Sequence, residues 1–216
     1  MIETLFDLTH TQAGSYLRGF SYPWEALPGI GKMILSLGQT LDRKAYSHPA
    51  PDVWIHVSAK VAPTASITGP CIIGADTEVR HCAFIRGNAL VGEGCVVGNS
   101  TELKNVILFD GVQVPHYNYV GDSILGYRAH LGAGAITSNV KSDKSPVVIR
   151  GDGEYLTGLK KVGAMVGDFT EVGCGSVLNP GTVIGRNAQV YPLTAVRGTV
   201  PANSICKATN VIVKKV

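Results

Sequence analysis

The chain has 216 residues, of which 45% are hydrophobic and 16% charged, and its formal net charge is +3. This length suits one domain, and a mild positive charge without a lysine and arginine run argues against a nucleic-acid partner. No apolar stretch reaches the roughly 18 residues of a membrane span, and the acidic start does not resemble a signal peptide. We therefore expect a soluble, cytoplasmic protein that binds neither nucleic acid nor membrane.

Five cysteines are present in odd number and without a CxxC pair. They are Cys71, Cys82, Cys95, Cys174 and Cys206. This pattern favours reduced thiols that fill space inside the fold, and it predicts no metal site.

The first 50 residues contain one amphipathic pattern. Apolar residues recur there at spacings of three and four, at Leu27, Ile30, Met33, Ile34, Leu37 and Leu41. This spacing predicts a helix over residues 31–41. Residues 47–51, which include two prolines, are typical of a short stiff linker.

From Ile55 onward an aliphatic residue recurs at every sixth position. The positions are Ile55, Val61, Ile67, Ile73, Val79, Ile85, Val91, Val97 and Leu103. A helix repeats its apolar face every 3.6 residues and a strand every second residue, so neither explains this period. A short fixed period indicates a solenoid.

The period of six resumes after small slips. The later ladder positions are Leu108, Val114, Val120, Leu125, Leu131, Thr137, Val166, Val172, Leu178, Ile184, Val190 and Val196. Each unit predicts one short strand with a turn, and three units predict a triangular coil whose strands stack about 4.8 Å apart on the next coil. We expect an all-β fold over residues 51–200, with about seven coils between Ile55 and Val196.

Three segments fall outside this ladder. Residues 1–50 are expected to cover the open first coil as a helical cap, because an uncovered solenoid end is an exposed sheet edge; a substrate or regulatory role is the alternative. Residues 138–161 predict a net-basic loop projecting from the scaffold, which is either functional or a tolerated insertion. Residues 201–216 predict a tail that packs back along the solenoid or against the cap.

Two cations occupy positions where glycine is common in this ladder. Arg86 and Lys104 each follow a ladder aliphatic and are 18 residues apart, which is one coil. We expect them to stack about 4.8 Å apart despite their repulsion. Such a pair favours a shared anion, most simply a phosphate. Arg80 and Arg197 also follow ladder aliphatics, so the position alone is weak evidence.

A histidine follows twelve residues after Lys104. A solenoid wall offers few groups that can accept a proton near neutral pH, and the imidazole of His116 is the natural one. His116 is therefore a candidate general base, and a solvated surface histidine is the alternative.

Residues 84–139 resemble the C-terminal acetyltransferase domain of the bifunctional N-acetylglucosamine-1-phosphate uridyltransferases, which belong to the hexapeptide-repeat acyltransferases. The alignment needs no gap from Arg86 to Asn139. The shared motifs are an Ile-Arg pair ending at Arg86, a Gly-Asn-x-x-Glu-x-Lys run ending at Lys104, a His-x-x-Tyr-x-Gly-Asp run beginning at His116, and a Gly-Ala-Gly-x-x-Thr-x-Asn run ending at Asn139. The resemblance implies a left-handed parallel β-helix, a homotrimer, and acetyl-CoA bound between neighbouring helices.

The resemblance also implies roles for individual residues. Arg86 and Lys104 match the two cationic ligands of the phosphate of glucosamine 1-phosphate, and His116 matches the general base. Tyr119 matches a residue that contacts the sugar phosphate. Asn139 matches the asparagine near the acetyl group and the acceptor amine.

Other positions depart from the family pattern. His130 stands where the family has an asparagine that binds the acceptor, so the identity of the acceptor is open. Cys174 stands where the family has a serine in the later coils, and with Gly173 it is expected to contact acetyl-CoA. Residues 1–50 contain no Gly-rich nucleotide loop, so we do not expect nucleotidyl transfer by this chain.

The sequence therefore predicts a CoA-dependent N-acetyltransferase that acts on an amino-sugar phosphate, without a metal, in UDP-N-acetylglucosamine or related nucleotide-sugar metabolism. One alternative is a non-catalytic trimeric sugar-phosphate-binding scaffold that partners a separate nucleotidyltransferase. The other is a γ-type carbonic anhydrase with zinc on His81, His116 and His130, although the close histidine pair of that family is missing.

Overall fold

The computed structural model describes residues 1–209 and 211–215, most of which form a solenoid of parallel strands. In the first coils the paired residues are 18 positions apart, as in Val53 with Cys71 and Cys71 with Ala89. In the middle coils they are 17 apart, as in Glu102 with Tyr119. The period of six thus predicted the coil, and each slip in the period marks a coil that is one residue shorter.

Three walls, here called A, B and C, surround the interior. Wall A contains Val53–His56, Cys71–Ile73, Ala89–Val91, the second half of Glu102–Leu108, the second half of Tyr119–Leu125, Ala164–Val166, Thr182–Ile184 and Thr199–Val200. Wall B contains Lys60–Val61, Glu78–Val79, Val96–Asn99, Gln113–His116, His130–Leu131, Glu171–Val172, Gln189–Val190 and Ser204–Ala208. Wall C contains Ser66–Ile67, Phe84–Ile85, the first half of Glu102–Leu108, the first half of Tyr119–Leu125, Ile136–Thr137, Val177–Leu178 and Ala195–Val196.

The ladder aliphatics fill the interior of the coil. Ile73, Ile85 and Val97 have no exposed surface. Thr137 is a polar ladder residue, and its hydroxyl accepts the Gly121 N–H at 2.9 Å, so this buried oxygen is satisfied.

The helical part of residues 1–50 covers wall A and not the open first coil, so the expected position of the helical cap was wrong. It contains the helices Ile2–Leu5, Gly14–Leu17 and Ile30–Gly38 and the 3-10 helices Leu8–His10 and Pro23–Gly29. The helix predicted over residues 31–41 is confirmed as Ile30–Gly38, which packs on the strands Cys71–Ile73, Ala89–Val91 and Glu102–Leu108.

The reason lies in the side chains that wall A directs away from the interior. Each residue before a ladder aliphatic on this wall is apolar and buried, namely Trp54, Ile72, Leu90, Ile107, Ile124, Met165 and Val183. The corresponding residues of wall B are mostly polar or charged, as in Lys60, Glu78, Gln113 and His130. An apolar column of this length must be covered, and the N-terminal segment covers it.

At each end of the solenoid one wall is extended by an antiparallel strand. At the first coil Tyr46–Ala50 pairs with Val53–His56, where the sequence predicted a linker. At the other end the chain continues the coil beyond Val196 through Thr199–Val200 and Ser204–Ala208, and Val211–Lys214 then pairs with Ser204–Ala208. The tail therefore extends the solenoid and does not pack back along it.

The insertion between Thr137 and Ala164 folds back on the protein. It contains a hairpin of Val148–Arg150 with Glu154–Leu156. The Tyr155 ring lies 5.1 Å from the Tyr22 ring, and the Thr199 hydroxyl donates to the Arg150 carbonyl at 2.8 Å. The segment predicted as a projecting loop is thus held by the N-terminal segment and the last coil.

One carboxylate joins the N-terminal segment to the coil. Asp168 is 1% exposed and accepts the backbone N–H groups of Asp7 at 2.7 Å and Tyr127 at 2.8 Å. Arg186 Nε lies 3.2 Å from Asp168 Oδ2. The backbone N–H of Asp168 donates to the Leu5 carbonyl. Burial raises the pKa of Asp168, so its partners are needed to offset the loss of hydration.

Replacing Asp168 by Ala is expected to lower the free energy of unfolding by about 2 kcal/mol or more, because two backbone N–H groups lose their acceptor and Arg186 loses its ion-pair partner. Urea denaturation measures this value. Asp143→Ala, in the exposed insertion, is the control and should cost less than about 1 kcal/mol. Equal losses in both variants would contradict the role of Asp168.

The cysteines divide into two groups. Cys71, Cys95 and Cys206 are buried, and burial raises the pKa of Cys71 and Cys95 to about 12. Cys82 and Cys174 are exposed, so the expectation that all five fill internal space was wrong for these two. None of the described helices has the length and apolar character needed to cross a bilayer.

A thiol titration distinguishes the two groups. In the folded protein an aromatic disulfide reagent should modify Cys82 and Cys174 only, because the thiolate is the nucleophile and buried thiols stay protonated. The buried cysteines should react after denaturation. Fast labelling of Cys71 or Cys95, identified by peptide mass analysis, would contradict the described core.

Candidate functional site

Wall C and its edge with wall A carry four of the eight predicted site residues, namely Arg86, Lys104, Tyr119 and Asn139. Phe84, Glu102 and Tyr119 are in register on successive coils of this wall. Arg86 and Lys104 follow one position after the inward residues Ile85 and Leu103, which pair with each other. The register therefore places the two cations one coil apart, as the sequence predicted.

Each cation has a carboxylate partner of its own. Arg86 Nη1 lies 2.6 Å from Glu102 Oε1, and Lys104 Nζ lies 3.5 Å from Asp122 Oδ2. Alternating charges thus relieve the repulsion that the sequence predicted between the two cations. A guanidinium has five N–H donors and an ammonium has three, so both groups keep donors for an anion.

Asn139 meets Lys104 at the Asp122 carboxylate and also contacts Tyr119. The Asn139 amide donates to Tyr119 Oη at 3.1 Å and also to Asp122 Oδ2. Burial raises the pKa of Tyr119, so its phenol stays protonated at neutral pH and can donate to a substrate oxygen. The structure therefore brings Lys104, Tyr119 and Asn139 together.

Asp122 had no role in the sequence-based prediction. It is 5% exposed and lies at the centre of these contacts. The available signal was its place at the end of the His-x-x-Tyr-x-Gly-Asp motif, and spacing alone gave no reason to single it out.

His116 lies at the opposite edge of wall C. Its N–H donates to Asn118 Oδ1 at 3.1 Å and its carbonyl accepts the Gly134 N–H at 3.0 Å, so its backbone is fixed. Within residues 1–209 and 211–215 no hydrogen bond or ion pair involves its exposed imidazole. Gly121, which pairs with Lys104, is five residues after His116, so the backbone at the two edges of wall C is at most about 18 Å apart.

Cys174 shares the edge of His116. The Gly134 N–H donates to the His116 carbonyl and the Gly175 N–H donates to the Ala133 carbonyl, so Cys174 lies two coils from His116 along this edge. At Gly173 an added Cβ would collide with the Pro192 nitrogen, so close packing accounts for this glycine.

His130 is separate from the residues on wall C. Its Nδ1 lies 2.7 Å from Glu171 Oε2 on wall B, in a cavity of about 730 Å³ that Arg128 and Asp110 also line. The described contacts do not connect it to Tyr119 or Asn139. No group of His, Cys, Asp or Glu suited to holding a metal ion occurs in the described part of the chain.

Comparison with known proteins adds the family. The profile of the GMPPB C-terminal domain matches residues 67–152. A relative from Escherichia coli (strain K12), "Putative uncharacterized acetyltransferase YaiX", is 30% identical over 167 residues, which are 77% of this chain and 73% of that protein. The chain belongs to the hexapeptide-repeat acyltransferase family. The coil is left-handed, as the resemblance to this family implied.

Another relative is much longer than this chain. "Bifunctional protein GlmU" of Methanococcus maripaludis (strain C5) is 30% identical over 197 residues, covering 83% of this chain and 44% of that protein. The chain thus spans less than half the length of this relative. Among solved structures, the polySia specific acetyltransferase NeuO is 12% identical with a TM-score of 0.46, covering 76% of each chain.

The two cations of the site give a binding prediction. Arg86→Met and Lys104→Met should each weaken binding of glucosamine 1-phosphate about tenfold or more, because a hydrogen bond to a charged group contributes about 1.5–3 kcal/mol. Isothermal titration calorimetry measures the affinity.

Arg80→Met is the matched control. Arg80 also follows a ladder aliphatic and contacts a carboxylate, Glu78 at 3.0 Å, but it lies at the edge between walls B and C. Its variant should bind as the wild type does. If Arg80→Met weakens binding as much as Arg86→Met, the prediction of an anion site on wall C is wrong.

Proposed function

We propose that this chain is an N-acetyltransferase that moves an acetyl group from acetyl-CoA to the amine of an amino-sugar phosphate such as glucosamine 1-phosphate. The observation that carries the proposal is that Lys104 and Asn139 both contact Asp122 while Asn139 also donates to Tyr119, with Arg86 one coil before Lys104. The activity suits a cytoplasmic enzyme of nucleotide-sugar metabolism, with UDP-N-acetylglucosamine biosynthesis as the first pathway to test.

The acceptor is held by its phosphate. Arg86 and Lys104 supply the donors, and the phenol of Tyr119 is positioned to donate to an oxygen of the sugar phosphate. Holding the phosphate fixes the amine, so that its attack on a bound thioester is nearly intramolecular.

His116 is the proposed general base. The amine nitrogen attacks the acetyl carbonyl carbon, the imidazole accepts the amine proton, and the carbon–sulfur bond breaks to release CoA as a thiol after protonation. The product is the N-acetyl sugar phosphate. The backbone N–H of Ala133 is the candidate donor to the oxyanion, because Gly132 and Gly134 on either side already donate to Val172 and His116 carbonyls.

Acetyl-CoA is proposed to lie along the edge between walls B and C. This edge presents His116 and Cys174 on the same side of the solenoid. A homotrimer would place this edge beside a neighbouring solenoid and so complete the groove for CoA. Sedimentation equilibrium tests this assembly.

The proposed reaction is tested by thiol release from acetyl-CoA with three acceptors, glucosamine 1-phosphate, galactosamine 1-phosphate and glucosamine. Turnover with a phosphorylated acceptor only is the expected result, because the cations recognise the phosphate. Turnover of all three acceptors at equal rates would contradict the proposal. Binding of the sugar phosphate without turnover would favour the non-catalytic binding module.

Replacing His116 by Ala is expected to lower kcat about 100-fold or more while the protein stays folded, because general base catalysis typically contributes this much. His81→Ala is the matched control. His81 occupies the same edge two coils earlier, where its Nδ1 contacts the Thr64 hydroxyl at 3.0 Å, and its loss should leave kcat within about twofold. An unchanged kcat in His116→Ala would rule out this base.

A further inference from the structure

Asp122 is central to the site but almost closed to solvent. Its side chain is 7% exposed, whereas that of Lys104 is 29% exposed. A ligand on wall C therefore meets Lys104 before it meets Asp122. The contribution of this carboxylate has to pass through the groups that it holds.

Both carboxylate oxygens of Asp122 have partners. Oδ2 accepts from the Asn139 amide and lies 3.5 Å from Lys104 Nζ. Oδ1 accepts from Asn105 Nδ2 at 2.9 Å. Donors on both oxygens fix the plane of the carboxylate, and the carboxylate in turn fixes the directions of the amide and the ammonium.

The second partner leads to the N-terminal segment. Asn105 Nδ2 also lies 3.3 Å from the Leu27 carbonyl, in the 3-10 helix Pro23–Gly29. The chain of contacts thus runs from Leu27 through Asn105 and Asp122 to Lys104 and Asn139. It joins the segment that covers wall A to the candidate acceptor site on wall C.

The backbone brings these residues to one corner of the solenoid. Asn105 and Asp122 have φ values of +55° and +47°, in the left-handed region that Asn and Asp tolerate best among residues with a Cβ. Lys104 pairs with Gly121, so Asn105 and Asp122 follow each other on adjacent coils at the corner between walls C and A. Both side chains therefore start from the same edge.

We propose that Asp122 is the positioning residue of this site, and that Asn105 links it to the N-terminal segment through the Leu27 carbonyl. Asp122 aligns Lys104 with the phosphate of the acceptor and Asn139 with the reacting end. The kinetic part of this inference rests on the proposed function, whereas the alignment of Asn139 does not. The N-terminal segment accordingly supports the site in addition to covering apolar surface.

The first test follows Asn139 without any ligand. Its side-chain NH₂ signals in a ¹H–¹⁵N spectrum are assigned by their loss in Asn139→Asp. Asp122→Asn and Asn105→Ala should shift these signals, because Asn139 loses its charged acceptor in the first variant and the acceptor loses its anchor in the second. Asp110→Asn is the control, since Asp110 lies on another corner and accepts the Glu93 N–H. Unmoved signals in Asp122→Asn would overturn the inference whatever the activity.

The second test separates kcat from KM. Asp122→Asn should raise KM for glucosamine 1-phosphate about tenfold and lower kcat about tenfold, with KM for acetyl-CoA within about twofold, because the lost contacts serve the acceptor. Asn105→Ala should change the same two constants by about threefold. Asp110→Asn should change neither constant.

The outcomes distinguish the two claims. Shifted Asn139 signals together with the kinetic changes support the positioning role. If the wild-type protein shows no turnover but the variants still shift the Asn139 signals, the alignment by Asp122 stands and the proposed reaction is rejected. If the wild type is active and Asp122→Asn keeps the same kinetic constants while only its unfolding temperature falls, the positioning role is overturned.

Discussion

The stacking of one coil on the next, about 4.8 Å apart, decides which residues of this chain meet. It makes residues 17 or 18 positions apart into neighbours, so any side chain that recurs at this spacing becomes part of a column. Ile73 and Val91 extend the interior in this way. Glu102 and Tyr119 become neighbours on wall C by the same rule, which is how residues from separate motifs form one site.

The apolar column on the outside of wall A has a second consequence. It requires a cover, and the N-terminal segment supplies one through its helices and through the contacts of Asp168 with Asp7 and Leu5. The cover passes beside the corner between walls C and A, where Asn105 reaches the Leu27 carbonyl. The same segment therefore buries the hydrophobic surface of wall A and takes part in the polar contacts at the edge of wall C.

Much of the solenoid could be predicted from the sequence because neither a helix nor a two-faced strand repeats an aliphatic residue every six positions. The one-coil spacing of Arg86 and Lys104 follows directly from that period. The side of the solenoid that the N-terminal segment covers was missed because only the inward residue of each unit was considered, although the apolar residues before it, such as Ile72 and Leu90, indicate the covered wall. The pairing of Arg86 with Glu102 and of Lys104 with Asp122 depends on side-chain directions, which spacing does not determine. The contact of Tyr155 with Tyr22 is tertiary and has no local signal.

If the proposed function is correct, wall C holds the phosphate of an amino-sugar acceptor. A crystal structure with glucosamine 1-phosphate and CoA would show where the phosphate binds. We expect phosphate oxygens within hydrogen-bonding distance of Arg86 and Lys104, with the sugar beside Tyr119. Phosphate bound instead in the cavity that His130 and Arg128 line on wall B, with wall C empty, would contradict the proposed acceptor site.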